Sequence, residues 1–441
     1  MKKLISLLAV FALSLFGLAF GPIASDASAA PDDPVVFNDA NLESLVKVEL
    51  GLGDSEPVTE ANIGGLTSLS VGSDSPVTDL TGLDKAVNLE SLLIYEGDFE
   101  KLFLAPLSGL TNLTGVYLYS PSGFAWGKAN DLPATVRYLS VTSAGLESFA
   151  GFPAHLDQLT YLDVYDNALS SWDGLPANLY STVTSLNIAN NAFTDVCADG
   201  SKLKDFTNLT ILQAFFKSMF GDNNVSCLAG LPLRYLDLDD TGLSDASGLA
   251  PLALTDGLYL QWNALSDVSM LNVDGLTSSC YLDGQSVEMT AESASFRPLE
   301  IKGLGGASVP LALSADSTSV TADSDGSYTF NTTGASTAQF EWEQTLTTTG
   351  GAECTYSGTL TVNYVGTGVE PTEPGVEPTE PSSQPTGDAT PTASASASTT
   401  PGGTAPSTQL PTTGVMAAPI AVVAMTLLFA GGILLSLRRR M

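Results

Sequence analysis

Leu159-Thr160-Tyr161-Leu162-Asp163-Val164-Tyr165-Asp166-Asn167-Ala168-Leu169, followed by Trp172 and Leu175 at three-residue steps, is the stretch that decides the fold. Its first half alternates, so Leu162 and Val164 face one way and Tyr161, Asp163 and Tyr165 the other, as in a short strand. Asn167 then turns the chain by bonding backbone groups that would otherwise go unpaired. The pattern recurs as Leu186-x-Ile188-x-x-Asn191-x-Phe193-x-x-Val196 and as Leu258-x-Leu260-x-x-Asn263-x-Leu265-x-x-Val268-x-x-Leu271.

Taking the first apolar position of each unit gives Leu66, Leu89, Leu113, Val136, Leu159, Val183, Leu209, Leu233 and, imperfectly, Thr255. The steps are 23, 24, 23, 23, 24, 26, 24 and 22 residues, the leucine-rich-repeat period. One unit cannot bury its own apolar face, so nine must stack into a solenoid over residues 66–286. Each buried aliphatic contributes roughly 1.5–3 kcal/mol, which gives the stack an ample core. The expected fold is therefore a leucine-rich-repeat solenoid with parallel strands on its concave face.

Outside the repeats the composition changes. Val36 to Val46, followed by Leu50-Gly51-Leu52, reads as a helix with one apolar side, so residues 31–65 are expected to be a helical N-terminal cap. After Leu276 the repeats fade, with Tyr281 to Gln285 expected as a last edge strand. Residues 287–365 show short strand-like runs at Leu311–Leu313, Ser319–Thr321, Tyr328–Phe330, Phe340–Trp342 and Thr359–Tyr364, which suggests a small Ig-like sandwich. The cap, the repeats and the β-rich segment together resemble the internalin family of bacterial surface proteins over roughly residues 35 to 365.

The two ends give the location. Lys2 and Lys3 precede an apolar stretch from Leu4 to Phe20, and Ala27-Ser28-Ala29 offers a cleavage site, so residues 1–30 read as a secretory signal peptide. At the other end Leu410-Pro411-Thr412-Thr413-Gly414 is followed by 23 apolar residues, Val415 to Leu437, and by Arg438 to Arg440. That run covers about 34 Å as a helix, enough to cross a bilayer with the arginines held inside. The order of the three parts, over residues 410–441, resembles the sorting signal of Gram-positive surface proteins. The resemblance implies that a sortase cuts between Thr413 and Gly414 and joins Thr413 to peptidoglycan. The membrane is then touched only by the tail, before processing. Residues 366–409 are rich in Pro, Thr and Ser, with Gly-Val-Glu-Pro-Thr-Glu-Pro duplicated. They form a linker that reaches about 135 Å if extended.

Charge removes other partners. With Lys2, Lys3 and the three terminal arginines taken from 16 basic residues, and Asp26 from 48 acidic ones, the formal charge moves from −32 to −36. Such a surface repels nucleic acid and anionic membrane. Catalysis lacks its parts: His155 is the one histidine, and no nucleophile elbow, zinc motif or phosphate loop occurs. No cofactor is expected. Asp237, Asp239, Asp240 and Asp222-Asn223-Asn224 match no calcium loop.

Binding is what the sequence supports. The outward strand positions carry Tyr95, Tyr117, Tyr119, Tyr138, Tyr161, Asp163, Tyr165, Phe215, Tyr235, Asp237, Asp239 and Tyr259. Aromatic side chains give contact area at small entropic cost and are enriched in interface hot spots. Tyrosine also suits exposed strands on propensity alone. The expected role is adhesion or recognition of a host or bacterial surface protein or glycan through this face. A structural wall protein, acting as a rigid spacer or in cell–cell contact, is the alternative. Cys197 and Cys227, 30 residues apart in consecutive convex loops, are expected to form a disulfide. Cys280 and Cys354 would lock repeat strand to sandwich if paired; that pairing stays open.

Overall fold

The computed structural model describes residues 33–198, 202–216, 219–221 and 224–366. The leader, the sorting motif Leu410–Gly414, its apolar tail and all but the first residue of the linker lie outside them. Among the described residues no helix is long and apolar enough to cross a membrane.

Helix α1 spans Ala40–Glu49. It begins where Asp39 accepts hydrogen bonds from the Asn41 and Leu42 N–H groups, at 2.9 and 3.2 Å. Glu43 and Lys47 pair at 2.8 Å along its outer side. Leu42 and Val46, one turn apart, are buried, and the helix lies against the first strand. Val36, at the start of the expected helix, is extended and exposed, because Asp39 takes the cap position.

Nine short strands follow two residues after each repeat start: β1 (Ser68–Val71), β2 (Ser91–Tyr95), β3 (Gly115–Tyr119), β4 (Tyr138–Thr142), β5 (Tyr161–Asp163), β6 (Ser185–Asn187), β7 (Ile211–Gln213), β8 (Tyr235–Asp237) and β9 (Gly257–Tyr259). All pair in parallel and in register, so Leu92, Val116, Leu139, Leu162, Leu186, Leu212, Leu236 and Leu258 form one continuous buried column. The chain is thus a leucine-rich-repeat solenoid by its own geometry. The segment Gly123–Asp131 contains a 3₁₀ helix, Trp126–Asp131. It buries Trp126 against Phe149 and Phe152.

Strands β2 to β9 each end at a left-handed residue: Glu96, Ser120, Ser143, Asp166, Asn190, Phe216, Asp240 and Trp262 have φ between 50° and 67°. Each N–H there donates to the next repeat, as Asp166 to the Ala189 carbonyl at 3.1 Å, which carries the ladder past the strand. At three of these corners an asparagine follows, Asn167, Asn191 or Asn263, and holds the turn. Asn191 accepts from the Leu169 N–H at 3.0 Å and donates to the Val164 and Ile188 carbonyls at 2.8 and 2.9 Å.

Strand β10 (Ser279–Ala291) corrects the expectation of an edge at Tyr281–Gln285. It is a 13-residue strand paired on both sides, with β9 and with β18 (Glu353–Tyr364), and it runs on past position 286, with a register shift against β18 between Leu282 and Gln285. Gln285 takes the corner role here, accepting from the Leu265 N–H at 3.0 Å and donating to the Leu260 carbonyl at 2.7 Å. Beyond it, β18 pairs antiparallel with β17 (Ser336–Thr347), and β17 with β14 (Ala312–Leu313), extending the sheet to thirteen strands. β17 and β18 have 12 residues each, longer than their sequence signals, because the hairpin partner supports Thr- and Glu-rich stretches of weak apolar pattern. A three-stranded sheet of β11 (Ser295–Phe296), β16 (Tyr328–Phe330) and β15 (Val320–Ala322) packs Phe296 and Phe330 against Phe340 and Tyr364. Strands β12 (Ile301–Lys302) and β13 (Ser308–Val309) pair separately.

Two disulfides fix loops and strands: Cys197–Cys227, with Cα atoms 5.2 Å apart, and Cys280–Cys354, at 4.5 Å.

Candidate functional site

The outward positions of the parallel strands line up across repeats because the register is unbroken. One row runs Tyr117, Ser140, Asp163, Asn187, Gln213, Asp237 and Tyr259. Rungs stand roughly 4.8 Å apart, closer than a tyrosine ring is wide, so neighbouring side chains must stack or tilt over small residues. They do both. Tyr95 stacks on Tyr119 with ring centroids 5.0 Å apart. Tyr138 meets Tyr161 at 6.4 Å, and Tyr165 meets Phe215 at 5.8 Å. Tyr235, Tyr259 and Tyr281 form a run at 5.4 and 5.2 Å. Glycines make room: a Cβ on Gly257 would stand 3.0 Å from Tyr235 Cδ2 and 3.3 Å from Tyr259 Cε2.

The face is consequently more closed than its sequence suggests. Tyr119, Asp237, Asp239 and Tyr259 are buried, Tyr161 keeps 4% of its surface exposed and Asp163 none. Tyr95, Tyr117, Tyr138, Tyr165, Phe215 and Tyr235 are half-buried and offer the accessible part.

Burial sets the electrostatics. It pushes the Asp163 carboxyl up to about 6, against hydrogen bonds from the Tyr165 N–H at 3.0 Å and the Ser140 and Tyr161 hydroxyls at 2.9 and 3.4 Å. Asp237 is pushed up to about 7 by burial, with the Asp239 N–H opposing. Tyr117 and Tyr259 rise to about 12 by burial, and Tyr161 and Tyr235 rise further, burial again first and the adjacent aspartates second. Asp237, Asp239 and Asp240 hold no metal cage: among the described residues no group of His, Cys, Asp and Glu suits a metal ion. Asp222 and Asn223 lie outside the described residues. His155 is exposed, and its Nε2–H donates to the Leu132 carbonyl at 2.8 Å.

Sequence reasoning missed Phe216, Trp262, Tyr281 and Asp283. Tyr281 and Asp283 belong to the tenth strand, whose place in the sheet was read as an edge. Phe216 and Trp262 sit at the left-handed corner, 46% and 40% exposed. The signal for Trp262 is an aromatic residue before Asn263, where Asp166-Asn167 and Asn190-Asn191 have a polar one; Phe216, followed by Lys217, carries no such signal.

The geometry defines a leucine-rich-repeat protein with an aromatic, acidic strand face. Among solved structures the chain is similar to three from Listeria monocytogenes. Internalin C2 is 27% identical over 52% of this chain and 96% of that one, with a TM-score of 0.39. An internalin (inlF) is 20% identical over 58% and 93%, TM-score 0.34. InlP is 16% identical over 76% and 99%, TM-score 0.37. No protein-family model and no curated protein matches the chain.

Proposed function

We propose that this chain is a surface protein of a Gram-positive bacterium that binds a partner through the strand face of its repeats. In this reading the leader exports it, a sortase joins Thr413 to peptidoglycan, and the linker holds the solenoid away from the wall. The observation that supports it most is the continuous parallel pairing of β1 to β10, which gathers tyrosines, phenylalanines and carboxylates from eight of these strands and the residues just after them onto one side. A repeat face of this kind presents a large surface whose chemistry the fold leaves free to vary. The partner is a host or bacterial surface protein or glycan.

The rigid-spacer reading draws on another observation: one sheet runs from β1 to β14 and a disulfide spans its junction, which makes a stiff body.

Purified full-length chain, screened against matrix proteins, epithelial cells and a glycan array, separates the two. Tyr117→Ser with Tyr138→Ser changes two accessible tyrosines without emptying a core site. Saturable binding lost in that variant, with its circular dichroism unchanged, supports recognition. Binding that persists in the variant, or none at all, favours the spacer.

A further inference from the structure

Strand β10 outruns its neighbour in the solenoid. β18 pairs with it from Cys280 to Ala291, whereas β9 pairs with it only from Ser279 to Tyr281. The chain of β9 turns away at the left-handed Trp262, and the last backbone bond on that side runs from the Ser286 N–H to the Asn263 carbonyl at 2.7 Å. Beyond it, the stretch from Val287 to Ala291 has β18 on one side and, among the described residues, no strand on the other. Backbone groups alternate between the two sides of a strand. With Ser286 facing the open side, the N–H and C=O of Glu288 and of Thr290 face it too.

This edge is fixed in place. Val287 and Ala291 are buried on the inner side and Met289 packs beside them, while Glu288 and Thr290 are exposed on the outer side. Roughly 17 Å of extended backbone is thereby presented without a partner. Glu288 guards it against a second copy, since pairing about a two-fold axis would bring two such carboxylates together. The chain's own linker suits the edge no better. Its duplicated motif sets Pro371, Pro374, Pro378 and Pro381 where a ladder needs N–H groups, and its glutamates would meet Glu288. The sheet here is acidic: β10, β17 and β18 carry Asp283, Glu288, Glu341, Glu343 and Glu353 and no lysine or arginine. Among the described residues Glu288 forms no ion pair.

We propose that the open edge of β10, from Val287 to Ala291, is a docking site for an extended segment of a partner protein, which adds a strand there and sets lysine or arginine against Glu288. The unpaired backbone supplies the mode of binding, main-chain hydrogen bonds of the strand-addition kind. The carboxylate supplies the choice of side chain opposite it. The edge lies six strands along the sheet from Tyr138, so this inference goes beyond the strand-face reading and can fail without it.

The test uses the purified full-length chain and the peptide acetyl-Lys-Thr-Lys-Val-Lys-Thr-Lys-amide. Its fully N-methylated analogue, which keeps the cations but lacks ladder donors, is the control. The expected result is saturable binding of the parent peptide alone, with amide exchange at Glu288 and Thr290 slowed at least about tenfold. Glu288→Lys should weaken binding about five- to tenfold. Thr290→Pro should abolish it with an unchanged melting temperature, because that N–H serves no ladder bond within the chain. Should Thr290→Pro unfold the module, Glu288→Lys and the exchange rates decide. Equal binding of the N-methylated analogue, or unchanged exchange at both amides, is attraction to the acidic surface at large and overturns the proposal. So does no binding of the parent peptide. Dimerisation that Thr290→Pro removes would make a second copy the occupant and overturn it as well. Tyr117→Ser with Tyr138→Ser should leave peptide binding unchanged; loss of binding in that variant would place the peptide on the strand face and overturn the edge site.

Discussion

Cys280 and Cys354 face each other in register on neighbouring parallel strands, β10 and β18, and are joined by a disulfide buried between solenoid and β-rich module. Around it the Tyr356 hydroxyl donates to the Leu265 carbonyl at 2.9 Å, and Thr348 to the Leu276 carbonyl at 2.8 Å. The repeats and the module are thus one mechanical body. The bond closes a separation of 74 residues, for which chain entropy gives about 4 kcal/mol. Cys280→Ser with Cys354→Ser should lower the unfolding free energy by about 2–5 kcal/mol, measured by denaturant titration. An unchanged midpoint would mean the strand pairing alone fixes the junction.

The corner asparagines give a second prediction. Asn191 is buried and satisfies one N–H and three carbonyls of two adjacent repeats. Asn191→Ala should cost about 2–4 kcal/mol, because several buried backbone groups lose their partner at once. Asn88→Ala, at an exposed site where the amide donates to the Gly64 carbonyl at 2.8 Å and accepts from the Asn112 amide at 3.4 Å, should cost under about 1 kcal/mol. Thermal unfolding of the two variants side by side checks the contrast.

Asp163 makes stability depend on pH. Its folded-state value, about 6, lies above the roughly 3.9 of an unfolded aspartate. The native chain therefore binds more protons between these values. This stabilisation is complete below about pH 4 and lost as pH rises through about 6. Asp163→Asn removes the titrating group beside Tyr161 and Ser140, so its unfolding midpoint should vary less than wild type between pH 4 and 7. Parallel melting curves across that range would show it; identical pH slopes would contradict the assignment.

How much of this was legible in the sequence depends on which physical rule governs each residue. Repeat starts from Leu66 to Thr255 lie two residues before observed strands because burial of an aliphatic column tolerates no slip in register. Asn167, Asn191 and Asn263 were readable because their side chains serve the backbone locally. The tenth strand was not: Gln285 replaces the asparagine, Gly284 the corner residue, and pairing with β18 is set by a segment about seventy residues away. The face itself was legible as a row of residues but not in its depth. Stacking across 4.8 Å rungs buries Tyr161 and Asp163, and that depends on which small residues lie beside them. The exposed aromatics at Phe216 and Trp262 fell outside an alternation that stops at the strand's end.

The central claim, recognition through the strand face, is tested most directly by adhesion. A Gram-positive host without its own adhesins would display the full-length chain, and cells retained on epithelial monolayers would be counted. Tyr117→Ser with Tyr138→Ser should bring retention down to the empty-vector level, while Phe103→Ser, at an exposed phenylalanine between strands β2 and β3, should leave it unchanged. Equal retention of all three, at matched surface density, would contradict the account and leave the solenoid as a spacer.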